Sequence, residues 1–180
     1  VEQSSVDGAS WNTNNYGTNA ALFGFAGYGD GSWWGTGTNG LLRTGANTNG
    51  ATLTWDVRTS GETNDLAQFA YGERTYLARG PGTSGGAIRS TNGGISWSQI
   101  GTAVGASNAR SLVFAGGRFL LAAGSEIRSI PSGASGTWIT NLVTNRPTGF
   151  LLTNLLARDG TVYAGLSLAA DTNGRRTMVV

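Results

Sequence analysis

The sequence predicts an all-β fold made of about four repeats of four short strands each. Three observations lead to this prediction: a Trp that recurs at a fixed spacing, other residues that recur in step with it, and a composition suited to tight turns. Of the 180 residues, 30 are Gly and only 12% are charged. Gly and Asn tolerate positive φ angles, and Ser and Thr bond the local backbone, so such a chain turns often. A hydrophobic content of 39% with 6 Trp indicates that it folds around a core.

The clearest repeat is a hydroxyl residue followed by Trp. It occurs at Trp11, Trp55, Trp97 and Trp138, which are spaced 41 to 44 residues apart. A weaker copy with Met in place of Trp follows at Thr177-Met178. Because self-similarity at a period of about 42 residues indicates a repeat architecture, each period is expected to form one supersecondary unit.

Two further sets of recurring residues, which we call ladders, share this period. An aromatic residue in a short apolar run after a turn recurs at Trp33, Tyr76, Phe119 and Tyr163. An aliphatic-Arg-hydroxyl triplet recurs at 42–44, 88–90 and 127–129. Within a repeat, the first strand is expected to be apolar, the second to carry the aromatic residue, the third to carry the triplet and the fourth to begin at Trp.

Four-stranded units at this period are typical of a β-propeller, in which radially packed blades leave only short, protected edges. A β-sandwich also has many short strands, but its sequence does not repeat at a fixed interval. The prediction is therefore an all-β chain forming a β-propeller, or a partial propeller, of about four four-stranded blades. Residues 1–180 are expected to be a single domain or a segment of a larger propeller, with repeats at approximately 1–18, 19–62, 63–104, 105–147 and 148–180.

One segment resembles a known repeat motif. Residues 90–97 read Ser-Thr-Asn-Gly-Gly-Ile-Ser-Trp. They are similar to the Asp-box, or BNR repeat, whose pattern is Ser-x-Asp-x-Gly-x-Thr-Trp. Asn92 stands in place of Asp, and its side-chain oxygen also accepts hydrogen bonds from turn amides. Decayed copies occupy 5–11, 48–55, 131–138 and 171–178.

The resemblance implies a propeller scaffold of the sialidase-like type. Asp-boxes occur in sialidases, other glycoside hydrolases, sorting receptors, photosystem assembly factors and phage tail proteins. In these families the box lies at the periphery of the blade, away from the active centre. The resemblance therefore implies a structural role, and no catalytic role, for Ser90, Asn92 and Trp97.

The composition excludes several chemistries. The chain has no Cys and no His, which excludes disulfides, thiolate chemistry and Cys-ligated zinc and removes the commonest general base. No apolar run is long enough to span a membrane. The 12 basic residues are all Arg and are scattered, so no nucleic-acid partner is expected. No catalytic, cofactor-binding or metal-binding residue is assigned, and no cofactor is expected.

The chain also lacks the pattern of a sialidase-like enzyme. The aromatic-Arg-Ile-Pro segment of sialidases is absent, and its nearest match is Asn-Arg-Pro at 145–147. Arg43, Arg89 and Arg128 recur at equivalent positions of successive repeats. They are therefore expected to be surface charges rather than a triad that converges on one substrate carboxylate.

The acidic residues form no catalytic pair in the sequence. Asp30, Glu73 and Asp159 fall in equivalent turns between first and second strands, where a solvated polar residue is favoured. The segment 171–174 bears a faint likeness to a calcium loop and is interpreted as a decayed Asp-box. The isolated chain is therefore predicted to be no enzyme and to show no glycosidase turnover.

The predicted function is a non-catalytic structural or recognition module of an extracellular assembly, such as a phage tail, another virion appendage or a cell-surface protein. An extracellular or virion-associated location is expected. Glycan is a candidate ligand because loops rich in Gly, Thr, Ser and Asn present hydroxyl and amide groups. Trp34 is a candidate stacking ring for a sugar, and burial between blades is the alternative for it. The alternative function is a segment of a glycoside hydrolase whose catalytic residues lie outside this chain.

The chain is expected not to close a propeller by itself. The hairpin that ends at Trp11 and the segment 178–180 would both supply the outermost strand of a blade. Unpaired strand edges are usually covered in proteins. A protein partner, or the remainder of a longer chain, is therefore expected to complete the propeller.

Overall fold

The structure is a computed structural model that describes residues 2–4, 8–14, 22–29, 31–47, 53–80, 86–100, 109–134, 136–143, 145, 147–168 and 178–179. Within these ranges the regular structure is β-strand, apart from one 3₁₀ turn at Thr38–Gly40. Short strands joined by Gly-rich turns account for this, and the predicted all-β class is confirmed.

Three sheets each contain four antiparallel strands that follow one another in chain order. Blade one consists of β3 (Leu22–Gly29), β4 (Ser32–Gly37), β5 (Leu42–Asn47) and β6 (Leu53–Arg58). Blade two consists of β7 (Gln68–Gly72), β8 (Thr75–Arg79), β9 (Ala87–Ser90) and β10 (Ser98–Gln99). Blade three consists of β11 (Ala109–Ala115), β12 (Arg118–Ala123), β13 (Glu126–Pro131) and β14 (Ile139–Leu142). These four-stranded units confirm the predicted β-propeller architecture.

The remaining strands form two smaller sheets. Blade four consists of β15 (Phe150–Arg158), β16 (Thr161–Leu168) and β17 (Met178–Val179). The hairpin strands β1 (Glu2–Ser4) and β2 (Asn12–Asn14) pair with each other. Among the described residues, this hairpin and blade four are separate sheets.

The hydrophobic core lies between the blades. Blades one and two enclose a cluster that includes Trp34, Leu42, Phe69 and Tyr76. Blades two and three enclose a second cluster that includes Leu77, Leu112, Phe119 and Leu121. Blades three and four enclose a third cluster, built around Ala122, Leu152 and Leu155. A sheet that is apolar on both sides needs a neighbour on both sides, which is how propeller blades pack.

Each blade therefore has two faces, which we name by their neighbours. The preceding face meets the blade before it in the chain, and the following face meets the blade after it. Successive side chains of a strand point to opposite sides of the sheet, so adjacent residues lie on opposite faces. Tyr76 on β8 packs against Trp34 of blade one, whereas Leu77 joins the cluster shared with blade three. On β12, Phe119 faces blade two and Leu120 packs toward blade four.

The aromatic ladder is confirmed in blades one to three. In blade four the aromatic residue lies one position further along the second strand. Trp33, Tyr76 and Phe119 are each the second residue of a second strand. Tyr163 is the third residue of β16, so Val162 holds the equivalent position. Val162 packs against blade three, whereas Tyr163 is 57% exposed on the following face. Tyr163 therefore lies on the predicted second strand but one position further from the turn than the other aromatic residues, which places it on the opposite face.

Three of the recurring Trp residues lie at or near the start of a fourth strand, and the other lies beside the two-stranded hairpin. Trp97 and Trp138 directly precede β10 and β14, and Trp55 lies within β6. Trp11 directly precedes β2. Trp138 is buried, Trp55 and Trp97 are half-buried, and Trp11 is exposed. The positions repeat although the burial does not, and the repeat limits given above remain a prediction.

Candidate functional site

The antiparallel order of the strands places the loops of each blade at two opposite edges. The hairpin edge carries the turns between first and second strands and between third and fourth strands. The connector edge carries the turns between second and third strands and the segments that join one blade to the next. The motif at 90–97 lies at the hairpin edge because it joins β9 to β10.

The turn at 90–97 is closed by its own side chains. Ser90 is buried, and its Oγ accepts a hydrogen bond from the N–H of Gly94 at 2.9 Å. Oδ1 of Asn92 accepts one from Oγ of Ser90 at 2.9 Å and one from the N–H of Ser96 at 3.0 Å. The indole N–H of Trp97 donates to the carbonyl of Gly94 at 3.1 Å. Because these groups satisfy one another, the turn holds the hairpin together rather than presenting donors to a ligand.

The same turn fastens blade two to blade one. Gly94 has φ of +78°, and a Cβ there would lie 2.0 Å from Cη2 of Trp34. The rings of Trp34 and Trp97 meet edge to face with centroids 5.8 Å apart. A side chain at position 94 would therefore push the blades apart.

Trp34 is an interior residue and is not available to stack on a sugar. It is 1% exposed, and its ring stacks on Phe69 with centroids 5.5 Å apart. Tyr76 lies 4.9 Å away on the same side. The glycan-stacking role suggested by the sequence is wrong for Trp34, and the alternative of burial between blades is confirmed. The reason is that Trp34 lies on the following face, which blade two covers.

The recurring arginines do lie on third strands, but they are not surface charges. Arg43 is 3% exposed. Arg89 is half-buried and donates from Nη1 to the carbonyl of Ala134 in blade three at 2.6 Å. Arg128 donates to Oε2 of Glu126 at 3.2 Å. The prediction of surface exposure is wrong because a third strand of a propeller blade has neighbours on both faces.

These arginines also do not share one face. The partner of Arg89 across β8 is Leu77, which faces blade three. The partner of Arg128 across β12 is Leu121, which faces blade two. Arg89 and Arg128 thus approach the same gap between blades from opposite sides. The arginines thus occupy equivalent third strands, but their side chains lie on different faces of the blades.

A further arginine in this gap was not singled out from the sequence. Arg79, the last residue of β8, is fully buried. Burial away from water and the nearby charge of Arg128 lower the pKa of Arg79 to about 10. In the sequence Arg79 follows an apolar run and precedes a Gly, which is also the pattern of an exposed strand end.

The acidic turn residues behave as solvated groups. Glu73 and Asp159 are exposed, and both have positive φ, at 48° and 50°. Glu73 accepts a hydrogen bond from Ser132 Oγ, and Asp159 lies 3.3 Å from Arg158. Asp30 and the segment 171–174 lie outside the described residues.

Neither a metal centre nor a membrane helix is found in the part of the chain that the structure describes. No group of three or more acidic or other metal-ligating side chains is gathered there. No helix among these residues is long and apolar enough to cross a bilayer.

One open depression of about 520 Å³ lies at the connector edge of blade one. It is formed by the turn between β4 and β5 and by the segment that leads from β6 toward β7. Its lining combines two aliphatic side chains, Leu41 and Val57, with polar and charged ones: Thr38, Asn39, Arg58, Thr59, Ser60, Glu62 and Thr63. Val57 is 61% exposed, so the depression offers an apolar surface beside hydroxyl, amide and carboxylate groups.

Internal hydrogen bonds fix the shape of this depression. Oγ of the buried Ser60 donates to the carbonyl of Gly40 at 2.6 Å and accepts from the N–H of Glu62 at 3.0 Å. Gly40 has φ of +70°, and a Cβ there would lie 2.0 Å from the carbonyl oxygen of Glu62. The N–H of Asn39 donates to Oδ1 of Asp65 at 3.1 Å. The two segments that form the depression are therefore linked directly.

Glu62 is the acidic residue in the lining of this depression. One of its carboxylate oxygens accepts from the side-chain amide of Gln99 in blade two. The side-chain amide of Asn64 lies 3.5 Å from the other. Sequence reasoning missed this site because its residues come from two separate turns, and Thr-Asn-Gly at 38–40 reads as one turn among many.

The fold and its loop edges place the chain in the class of β-propeller proteins. No protein-family model and no curated protein matches it. Among solved structures it is similar to YCF48 bound to D1 peptide, with a TM-score of 0.61 and 16% identity over 94% of this chain and 57% of that one. It is also similar to the computationally designed Ika4 protein, with a TM-score of 0.55 and 10% identity over 92% of this chain and 94% of that one. At such identities the likeness concerns the fold, and this chain spans little more than half of the YCF48 chain.

Proposed function

We propose that this chain is a non-catalytic recognition module that binds a glycan in the depression at the connector edge of blade one. The observation that carries the proposal is a recess that combines apolar surface with hydroxyl, amide, guanidinium and carboxylate groups and is held in shape by its own hydrogen bonds. A site that is fixed before binding loses less conformational entropy when the ligand arrives.

The chemistry of the lining suits a sugar. A carboxylate accepts hydrogen bonds from two hydroxyls at once, and Glu62 is half-buried at the rim with its orientation set by Gln99. Thr59 and Thr63 supply exposed hydroxyls that both donate and accept. Val57 offers the apolar surface that the C–H face of a sugar ring requires.

The surroundings of the module are part of the proposal. We place it in an extracellular assembly, such as a phage tail, another virion appendage or a cell surface, within the Asp-box (BNR) group of propellers. The closed hydrogen-bond network at 90–97 supports the Asp-box assignment. A Gly-, Thr- and Asn-rich chain without Cys or His supports the extracellular setting by composition.

Peptide recognition is the second candidate function. The structure of YCF48 bound to D1 peptide shows that a protein of similar fold binds a peptide. The alternative of a glycoside hydrolase segment whose catalytic residues lie outside this chain is favoured by no contact among the described residues.

A glycan array followed by titration calorimetry tests the proposal. The wild-type chain is expected to bind a glycan without turning it over, and Glu62→Gln is expected to weaken binding at least tenfold by removing the charged acceptor. Glu73→Gln is the matched control, because it alters an exposed carboxylate at the hairpin edge. Equal losses in both variants, binding of peptides alone, or hydrolysis of the bound glycan would contradict the proposal.

A further inference from the structure

The depression at the connector edge of blade one lies among acidic side chains. Asp56, Glu62 and Asp65 all belong to the short segment 56–65, which contains a single basic residue, Arg58. The charge of this segment is therefore opposite in sign to that of the whole chain, whose formal net charge is +2. A recess bordered by one sign of charge raises the local concentration of ligands of the other sign.

Arg58 offsets only one of these carboxylates. Its Nη2 lies 4.0 Å from Oδ2 of Asp56, and both side chains are exposed. Water screens an exposed pair of this kind, so the two charges balance each other at the rim without fixing either side chain. The charges that distinguish the recess are consequently those of Glu62 and Asp65.

Glu62 and Asp65 have only uncharged donors. The carboxylate of Glu62 accepts from the side-chain amide of Gln99, and Oδ1 of Asp65 accepts from the N–H of Asn39 at 3.1 Å. Within the ranges that the structure describes, no arginine pairs with either carboxylate. Both residues are half-buried, where charges are screened less than at the open surface. The site thus presents two negative charges that lack a cation.

We infer that the depression selects an amino sugar whose amine is free and therefore positively charged. The inference rests on the proposed glycan-binding function and specifies the ligand of that same site. An ammonium group donates three hydrogen bonds, and bonds between charged partners are roughly twice as strong as neutral ones. Glu62 and Asp65 would receive the ammonium, while Val57 and the hydroxyls of Thr59 and Thr63 remain for the sugar ring.

The same charges disfavour other sugars. A ligand carboxylate or sulfate would lie beside like charges, which lowers its affinity and excludes it by repulsion. An N-acetylated sugar carries no charge and leaves Glu62 and Asp65 facing a neutral group. The expected order of affinity is therefore free amine first, N-acetylated or neutral sugar second, and acidic sugar last.

Titration calorimetry with a glucosamine oligomer and its fully N-acetylated counterpart of equal length tests the inference. Under conditions that keep the sugar amine protonated, the free-amine oligomer is expected to bind about tenfold more tightly. Added salt should reduce this preference, because it screens the charges. Equal affinities, or a preference that salt does not change, would overturn the inference and leave the glycan-binding function standing. Failure to bind any glycan would overturn both.

A matched pair of variants tests which carboxylate carries the preference. Asp65→Asn keeps an oxygen acceptor for the N–H of Asn39 and removes the charge, so the preference should fall by roughly threefold. Its affinity for the N-acetylated oligomer should stay unchanged, which a merely structural role would not allow. Glu73→Gln removes one charge at the hairpin edge and should alter neither affinity. Equal weakening of both oligomers by Asp65→Asn, an equal effect of Glu73→Gln, or binding of basic peptides in place of the free-amine oligomer would contradict the inference.

Discussion

At the scale of single residues, the close contact between Gly94 and Trp34 helps to fix the position of blade two on blade one. Gly94 combines a left-handed backbone with a site that has no room for a side chain. Its neighbour Gly93 has φ of +72° and open space around it. Comparing a substitution at Gly93 with the same substitution at Gly94 therefore distinguishes the cost of the left-handed backbone from the cost of a steric clash.

We expect Gly93→Ala to destabilise the chain by about 1–2 kcal/mol, the cost of a left-handed conformation in a residue with a Cβ. Gly94→Ala has the same cost and also forces a methyl group into the Trp34 ring, so its loss should be larger by about 1–3 kcal/mol. Urea denaturation of the two variants measures the difference. Equal losses would mean that the turn does not dock on Trp34.

Within the same turn, the packing of Trp97 should outweigh the hydrogen bonds of Asn92. Trp97 is half-buried against Trp34, Phe69 and Tyr76, so Trp97→Ala is expected to cost about 2–3 kcal/mol, below the range for a fully buried Trp. Asn92→Ala should cost roughly 1–2 kcal/mol, because water reaches the turn amides that lose their acceptor. Chemical denaturation that ranks Asn92→Ala as the worse variant would contradict this assignment.

At the scale of elements, the turns between first and second strands of blades two, three and four share one geometry. Both central residues have positive φ in the turns at Glu73-Arg74, Gly116-Gly117 and Asp159-Gly160. This is the type I′ pattern, whose twist matches that of the flanking strands. Arg74 stands where the other two turns have Gly, so one hairpin is strained relative to its equivalents.

We expect Arg74→Gly to stabilise the chain by about 0.5–1 kcal/mol. It relieves a left-handed conformation that costs about 1–2 kcal/mol, and the added flexibility of the unfolded chain offsets part of the gain. Gly160→Ala, at the equivalent position with open space around it, should destabilise by about 1 kcal/mol. Thermal unfolding of both variants is the measurement, and midpoint shifts of the same sign would contradict the equivalence of the turns.

At this scale the sequence predicted much of the structure. The Trp period located the fourth strands, and the aromatic ladder located the second strands, because turn length and strand length repeat together. The ladder does not reveal which face a residue occupies. A shift of one residue moves a side chain to the other side of the sheet, as it does for Tyr163. The same limit applies to Arg89, which lies on a predicted strand with its face unspecified.

At the scale of the whole molecule, the stability of the propeller resides in the gaps between blades. Trp33 and Trp34 are neighbours in the sequence, yet Trp34 is 1% exposed between blades one and two and Trp33 is 40% exposed. This difference could not be predicted from the sequence, because both residues fit the same apolar run. The proposed glycan site was missed for a related reason, since Asn39 and Glu62 are brought together only when two turns meet.

We expect Trp34→Ala to cost about 3–5 kcal/mol, as the loss of a large core aromatic does. Trp33→Ala should cost less, about 1–2 kcal/mol, because part of the Trp33 side chain remains in contact with water. Urea denaturation followed by circular dichroism measures both losses. Similar losses in the two variants would show that the gap between blades one and two is not the principal core on this side.

The edge-to-face contact of Trp34 with Trp97 also gives the folded protein a spectroscopic signal. Two indoles with centroids 5.8 Å apart and planes inclined at 72° couple their electronic transitions. Coupling of this kind produces paired bands of opposite sign in the circular dichroism spectrum, and it vanishes when the rings separate. One ring belongs to blade one and the other to blade two. The rate at which those bands are lost during unfolding would therefore report when the two blades separate, without any added label.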